Sequence, residues 1–436
     1  MRRGFLAGRH SAGRPRSLHV IAAIVACVAA WIANVSPGKA SALTTIHSFC
    51  VDDGCLEGNR PVTLTGDKNG NLYGTTQTGG AGGAGTVFEL ERITNNRFKF
   101  HLLHAFCQGD CTDGAGPWGG LIIDQAGNLY GTTIGGGPKK AGTVYKLVRQ
   151  GSHSKWRLVN LFAFNFSNGD EPMAPLSYLG AETGAPYDGV SPLYGTAYQG
   201  GKHKSGLIFK LTPRNKTYAQ IVLHEFCSVD NCTDGNRPSH GVYVDGAGNV
   251  FGTTDAGGDA DGGVVFELSP GGKVYRETVL YSFCQLTRCA DGALPGQITI
   301  DASGNFIGTT YTGGAQNSGA VFNLIPNGKR SQETVLYSFC AQFNCADGGA
   351  PLGAISIDKS GNFFGIGSMG AAFNDGALFE ISGGTESVLY SFCALPNCAD
   401  GAAVNGGVVL DNAGNVFGHT LLGGANNGGT IFRFTP

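Results

Sequence analysis

The residues best placed to do chemistry are acids that recur at one position. Glu57-Gly58, Asp113-Gly114, Asp234-Gly235, Asp291-Gly292, Asp347-Gly348 and Asp400-Gly401 each follow a pair of cysteines, and Asp170-Glu171 stands before Pro172 at the corresponding place. Acids repeated in this way would ring one face of a closed array and attract Ca²⁺ or a cationic ligand. A calcium ion takes roughly six to eight oxygens, more than any one of these loops supplies. An Asp beside Gly also caps its own turn by accepting backbone N–H bonds. No metal site is therefore assigned. Asp113, Asp234, Asp291, Asp347 and Asp400 stand as candidate ligand-binding residues with turn capping as the competing role.

The histidines form no catalytic constellation along the chain. His47, His104 and His224 take the place held by Tyr281, Tyr337 and Tyr390 elsewhere, His419 replaces a strand threonine, and His101, His153, His203 and His240 are scattered. A Ser-His-Asp arrangement is recognised by geometry and not by order in the chain, so distant segments would have to build one. There is no phosphate-cradling or dinucleotide motif, and no cofactor is expected.

Thirteen cysteines divide into Cys27 and six close pairs: Cys50/Cys55, Cys107/Cys111, Cys227/Cys232, Cys284/Cys289, Cys340/Cys345 and Cys393/Cys398. The third repeat reads Phe164-Asn165-Phe166-Ser167 at this place and lacks both members together, as partners would. Two thiolates are too few for a closed zinc site. Local disulfides are expected, each worth about 2 kcal/mol by loop closure.

These groups must be positioned by a repeat of roughly 55 residues, within the range of solenoids and propellers. Its words are a β-branched run ending in Asp, Gly-Asn, Tyr-Gly-Thr-Thr, Gly-Gly and Val-Phe-Glu-Leu. They recur at Asn71–Thr76, Asn128–Gly131, Pro192–Gly195, Asn249–Gly252, Asn305–Gly308, Asn362–Gly365 and Asn415–Gly418. One unit predicts four strands: Gln297–Ile300, Phe306–Thr310, Ala320–Leu324 and Thr334–Phe339, the last with Val335, Tyr337 and Phe339 on one face. The expected fold is all-β, a seven-bladed β-propeller of four-stranded antiparallel blades over residues 43–436. Leu43–Phe49 matches a fourth strand and Gly429–Phe434 a third. The N-terminal strand would thus complete the last blade and leave no open edge.

At these residues the chain resembles the choice-of-anchor GloVer tandem-repeat proteins, whose signature is Tyr-Gly-Thr-Thr, a glycine loop and Gly-Thr-Val-Phe-Glu-Leu, as at Tyr73–Thr76 and Gly85–Leu90. The resemblance covers residues 43–436 and implies an exported bacterial repeat protein with no assigned reaction. Members carry a C-terminal surface anchor. Here the chain stops at Pro436, so free secretion or periplasmic residence is expected.

Residues 1–42 read as a signal peptide: Arg2, Arg3, Arg9, Arg14, Arg16 and Lys39 with no acid, an apolar stretch near 18–35, and Ala40-Ser41-Ala42. Cleavage after Ala42 is expected, with lipidation at Cys27 or a retained anchor as alternatives. Its loss takes the formal charge from −2 to −8, a poor balance for nucleic acid or anionic membrane. The mature chain is expected to be a monomer without a membrane span.

The Cys loops and Gly-Gly loops fall on one face, where binding residues collect over a rigid scaffold. Blade three breaks the symmetry there: it lacks the Cys pair, inserts residues 180–189, and carries Lys202-His203-Lys204 as a local basic spot. The expected function is a binding or surface-interaction module for an extracellular glycan or protein. The alternative is a lyase or hydrolase of polysaccharide or small lactone. Inner strands such as Leu121–Ile123, Ile298–Ile300 and Ile355–Ile357 are poor in groups for that chemistry.

Overall fold

The second strand of every repeat carries a glycine because an aromatic ring lies against it. A Cβ on Gly308 would stand 2.5 Å from Cζ of Phe322, and one on Gly418 would stand 2.5 Å from Cζ of Phe432. This is the glycine of Tyr-Gly-Thr-Thr, and the ring is the Phe of Val-Phe-Glu-Leu. The two words of the repeat are therefore one packing unit across paired strands, with Gly308 opposite Phe322 and Gly418 opposite Phe432.

The computed structural model describes residues 42–436 apart from 152–154, 216, 273 and 328–330. Nearly all of the expected leader, with Cys27, lies outside the described residues. Leu43–Thr435 forms one unit of seven small antiparallel sheets. In blade one the order is Asn59–Gly66, Leu72–Thr78, Thr86–Thr94 and Arg97–Ala105, from the central axis outward. In blade seven, Ala42–Ser48 pairs with Thr430–Thr435, so the first strand of the unit completes the last sheet. Phe49 N–H donates to Gly429 O and Arg60 N–H to Gly428 O, at 3.0 and 2.9 Å, and these bonds lock the seam.

Two details differ from the expected unit. The inner strand of blade five is split into Ala293–Pro295 and Thr299–Ile300, because Gly296–Ile298 leaves the ladder between the pairs Pro295–Thr310 and Thr299–Ile307, where the inner side carries one residue more than its partner. The fourth strand, Gln332–Ser338, does not alternate throughout. A bulge opposite Val321/Phe322 shifts its register, so Leu336 packs with Tyr337 against the core between blades five and six.

The core lies between blades. Phe283 packs on Phe322 at 5.0 Å, Phe339 on Phe379 at 5.0 Å, and Phe49 on Phe88 at 5.1 Å across the closure. In each case the aromatic that ends one blade's outer strand meets the third-strand aromatic of the next. Such tilted and edge-on pairs add about 0.5–1.5 kcal/mol each beyond area burial.

The cysteines pair as their spacing predicts: Cys50 with Cys55, Cys107 with Cys111, Cys227 with Cys232, Cys284 with Cys289, Cys340 with Cys345, and Cys393 with Cys398. The second cysteine of each pair also anchors the loop through its carbonyl. Cys55 O accepts from Gly58 N and Gly80 N, both at 2.9 Å, and Cys111 O from Gly114 N and Gly137 N at 3.1 and 2.8 Å. Cys232 O accepts from Gly235 and Gly258, Cys289 O from Gly292 and Gly314, and Cys345 O from Gly348 and Ala371. Each such carbonyl ties a Cys loop to the Gly-Gly loop or its equivalent, so both loops occupy one face.

Candidate functional site

The recurrent acids sit inside their own loops. Asp291 accepts bonds from Tyr281 Oη (2.9 Å), Gln285 N (2.9 Å) and Leu286 N (3.1 Å). Asp347 repeats this with Tyr337, Ala341 and Gln342, and Asp400 with Tyr390, Ala394 and Leu395. Asp113 faces His104 Nε2 at 2.9 Å and accepts from Cys107 N, while Asp234 faces His224 Nε2 at 3.2 Å and accepts from Ser228. The His and Tyr that alternate at one strand position thus do the same work, which is to hold the loop carboxylate. Asp234, Asp291, Asp347 and Asp400 are buried. Burial would raise the Asp234 carboxyl, but the bonds from His224 and Ser228 outweigh it and bring the group below the usual carboxylate range.

The cysteines belong to the same loop framework. Cys50, Cys55, Cys107, Cys111, Cys227, Cys232, Cys284, Cys289, Cys340, Cys345, Cys393 and Cys398 are all held in disulfides, which leaves no thiolate among them for nucleophilic or metal chemistry. None of them, and none of the five loop aspartates, lines the central cavity described below.

A second set of acids carries no signal in the loop motif. Glu277, Glu333 and Glu386 occupy equivalent places on the outer strands of blades four, five and six, four residues before Tyr281, Tyr337 and Tyr390. Each faces the Cys-loop Asp of the preceding blade. Burial first, then the negative charge of Asp291 or Asp347, pushes Glu333 and Glu386 up to about 7. Glu277 also rises to about 7 through burial, with His224 opposing and Asp234 adding to the shift.

Lys202, His203 and Lys204 lie on the exposed Gly loop of blade three, where Lys202 Nζ is 3.4 Å from Glu225 Oε2. The insertion of that blade has a packing role. Tyr187 is fully buried, 5.1 Å from the Tyr130 ring of blade two, and exchanges backbone bonds with Ile123 and Gln125.

What the topology does assemble is a central cavity of about 590 Å³ to which every blade contributes. Its wall includes Trp118, Met173, Leu294 and Leu352, and its polar groups include Ser239, His240, Asp255, Gln297, Tyr311, Asn405 and His419. Trp118, Asp255 and Leu294 stand beside Cys or Gly-Gly loops, which places this end of the cavity on the loop face. Ser239 bridges two titratable groups: its Oγ donates to Asp255 Oδ1 and lies 2.8 Å from His240 Nδ1. Asp255 Oδ1 and His240 Nδ1 are 3.8 Å apart. Burial lowers His240 and raises Asp255, and each charge opposes the other's shift. The three side chains therefore form a short hydrogen-bonded relay, Asp255–Ser239–His240. Serine is its centre, whereas a nucleophilic triad needs histidine there.

His419 lines the same cavity with 1% of its surface exposed, and neither ring nitrogen has a hydrogen-bond partner. Burial alone pushes its pKa down to about 4. His240 and His419, unconnected along the chain, thus meet in one cavity. Asp255 offered a faint signal: it is the one acid at a position held by Gln77, Ile134, Tyr198, Tyr311, Ser368 and Leu421 in the other blades. Among the described residues, the one close group of metal-type side chains is Asp375 with Cys393 and Cys398, whose sulfurs are joined to each other.

The family model of the Gloeobacter/Verrucomicrobia repeat matches residues 32–230 and 183–432. No curated protein sequence matches the chain. Among solved structures the fold is similar to a catalytically inactive virginiamycin B lyase from Staphylococcus aureus crystallised with quinupristin. The TM-score is 0.52 at 10% identity, covering 91% of this chain and 99% of that one. It is also similar to the extracellular domain of a putative hybrid two-component system from B. thetaiotaomicron, with a TM-score of 0.50 at 11% identity, covering 87% of this chain and 40% of that one. At these identities the likeness concerns the fold.

Proposed function

The chain belongs to the Gloeobacter/Verrucomicrobia repeat family, and from that premise we propose that it is an exported binding module whose ligand enters the central cavity from the Cys-loop face. The observation that carries this is the cavity itself: about 590 Å³, apolar along one part of its wall, with convergent polar groups in another. That volume and mixture are those of small-molecule sites. Six disulfides agree with an oxidising compartment. An extracellular glycan fits better than a nucleic acid, because no Lys or Arg lines the cavity. Isothermal titration of the protein against a glycan panel is the test. Saturable binding that Trp118→Ala weakens is expected, and binding that Trp118→Ala leaves untouched would move the site elsewhere.

Catalysis is favoured by one observation, the Asp255–Ser239–His240 relay. Such a relay could pass a proton to or from a bound substrate in an elimination. Turnover of a bound glycan, abolished in Asp255→Asn with binding retained, would establish it.

A further inference from the structure

We infer that His419 is the recognition group of the cavity and takes a hydroxyl of an uncharged ring of sugar size. The inference rests on the cavity reading above and adds the ligand's class.

Its ground is a comparison among equivalent positions. Opposite Val87, Val144, Ile208, Val265 and Val321 the second strands carry Thr75, Thr132, Thr196, Thr253 and Thr309, opposite Leu378 blade six has Ile366, and opposite Ile431 blade seven has His419. Four of the threonines bond within the fold: Thr75 to Thr63 Oγ1 (2.9 Å) on its own blade, and Thr132 to Ala174 O (3.1 Å), Thr253 to Gly296 O (3.0 Å) and Thr309 to Gly353 O (3.3 Å) in the inner segment of the next blade, while Thr196 Oγ1 has no partner. Ile366 shows that packing here does not demand a polar group. His419 makes no such bond, and both of its nitrogens stay unpaired in a buried setting. Buried polar groups are rarely left so, and a ligand that pairs them recovers the cost.

Gly406, in the segment between Ala402–Val404 and Val409–Leu410 of the same blade, makes room for the ring. A Cβ on Gly406 would lie 2.8 Å from His419 Cε1 and 3.1 Å from Nε2. The low pKa keeps the imidazole neutral at physiological pH. A neutral imidazole offers one donor and one acceptor, the complement of a hydroxyl, which is itself both. Charge on the ligand finds little reward: no Lys or Arg lines the cavity, and its carboxylate, Asp255, is engaged by Ser239. The apolar wall, with Trp118, suits the carbon face of a sugar ring.

The test uses methyl glycosides of the common hexoses and pentoses, read by NMR on protein labelled with ¹⁵N in histidine and tryptophan. At least one glycoside is expected to shift the His419 ring nitrogens and the Trp118 indole N–H together. His419→Thr, the residue most blades carry here, should keep the melting temperature and bind that glycoside about tenfold more weakly. Should a glycoside move Trp118 but not His419, or bind His419→Thr equally well, the recognition role is overturned while the cavity site stands. Silence of both residues to every glycoside would overturn the two together.

Discussion

Glu386 buries a carboxyl group beside Asp347; burial and that neighbour both raise its pKa, and only Tyr337 opposes the rise. Its folded pKa of about 7 exceeds the ordinary value of 4.5, so the folded state binds the proton more tightly than the unfolded one. Below about pH 4.5 both states are protonated and the group costs nothing. As pH rises toward 7 the unfolded chain ionises first and stability falls, and above 7 the full penalty is present. At about 1.4 kcal/mol for each unit of pKa the ceiling is about 3 kcal/mol. Glu386→Gln should therefore raise stability by about 1–3 kcal/mol at pH 8 and leave it nearly unchanged at pH 4. Chemical denaturation at the two pH values measures this, and an equal effect at both would refute the buried charge. Nothing in the repeated words marks this residue, since its environment is made by the loop of the preceding blade.

Among the elements, the disulfide loop sets the rim. Each bridge closes a segment of five or six residues that also binds its carboxylate and its Gly-Gly loop, as at Cys284, Cys289, Asp291 and Gly314. Replacing Cys284 and Cys289 by Ser is expected to cost about 2 kcal/mol by loop closure while the blade persists, because Phe283 and Phe322 still pack. A lowered melting temperature with an unchanged circular dichroism spectrum is the expected result; an unchanged melting temperature would show that the bridge adds nothing. The pairing was legible in sequence from the joint absence of both cysteines in blade three. The insertion at 180–189 was legible only as a break in symmetry. Its purpose, to seat Tyr187 against Tyr130, depends on a neighbour 57 residues earlier in the chain.

For the whole molecule, architecture and site were unequally legible for one reason. Blades, strand order and closure are written seven times, and repetition makes a pattern visible. Ser239, His240, Asp255 and His419 are each written once, and only the circular arrangement gathers them. Closure itself can be tested by deleting residues 42–48, which strips the partner from Thr430–Thr435. The bared edge should lower the melting temperature and promote self-association, seen by size-exclusion chromatography with light scattering. A monodisperse ring of unchanged stability would show that the other six blades suffice.

The same closure gives the molecule a polarity. Ala42 starts a strand that runs toward Cys50, and Thr435 ends a strand that runs away from the Gly-Gly loop at Gly423-Gly424. Both ends of the array therefore emerge side by side on the face of the Asp-x-x-Gly-Asn turns. That face lies opposite the Cys and Gly-Gly loops, so the loop end of the cavity faces away from both ends of the array.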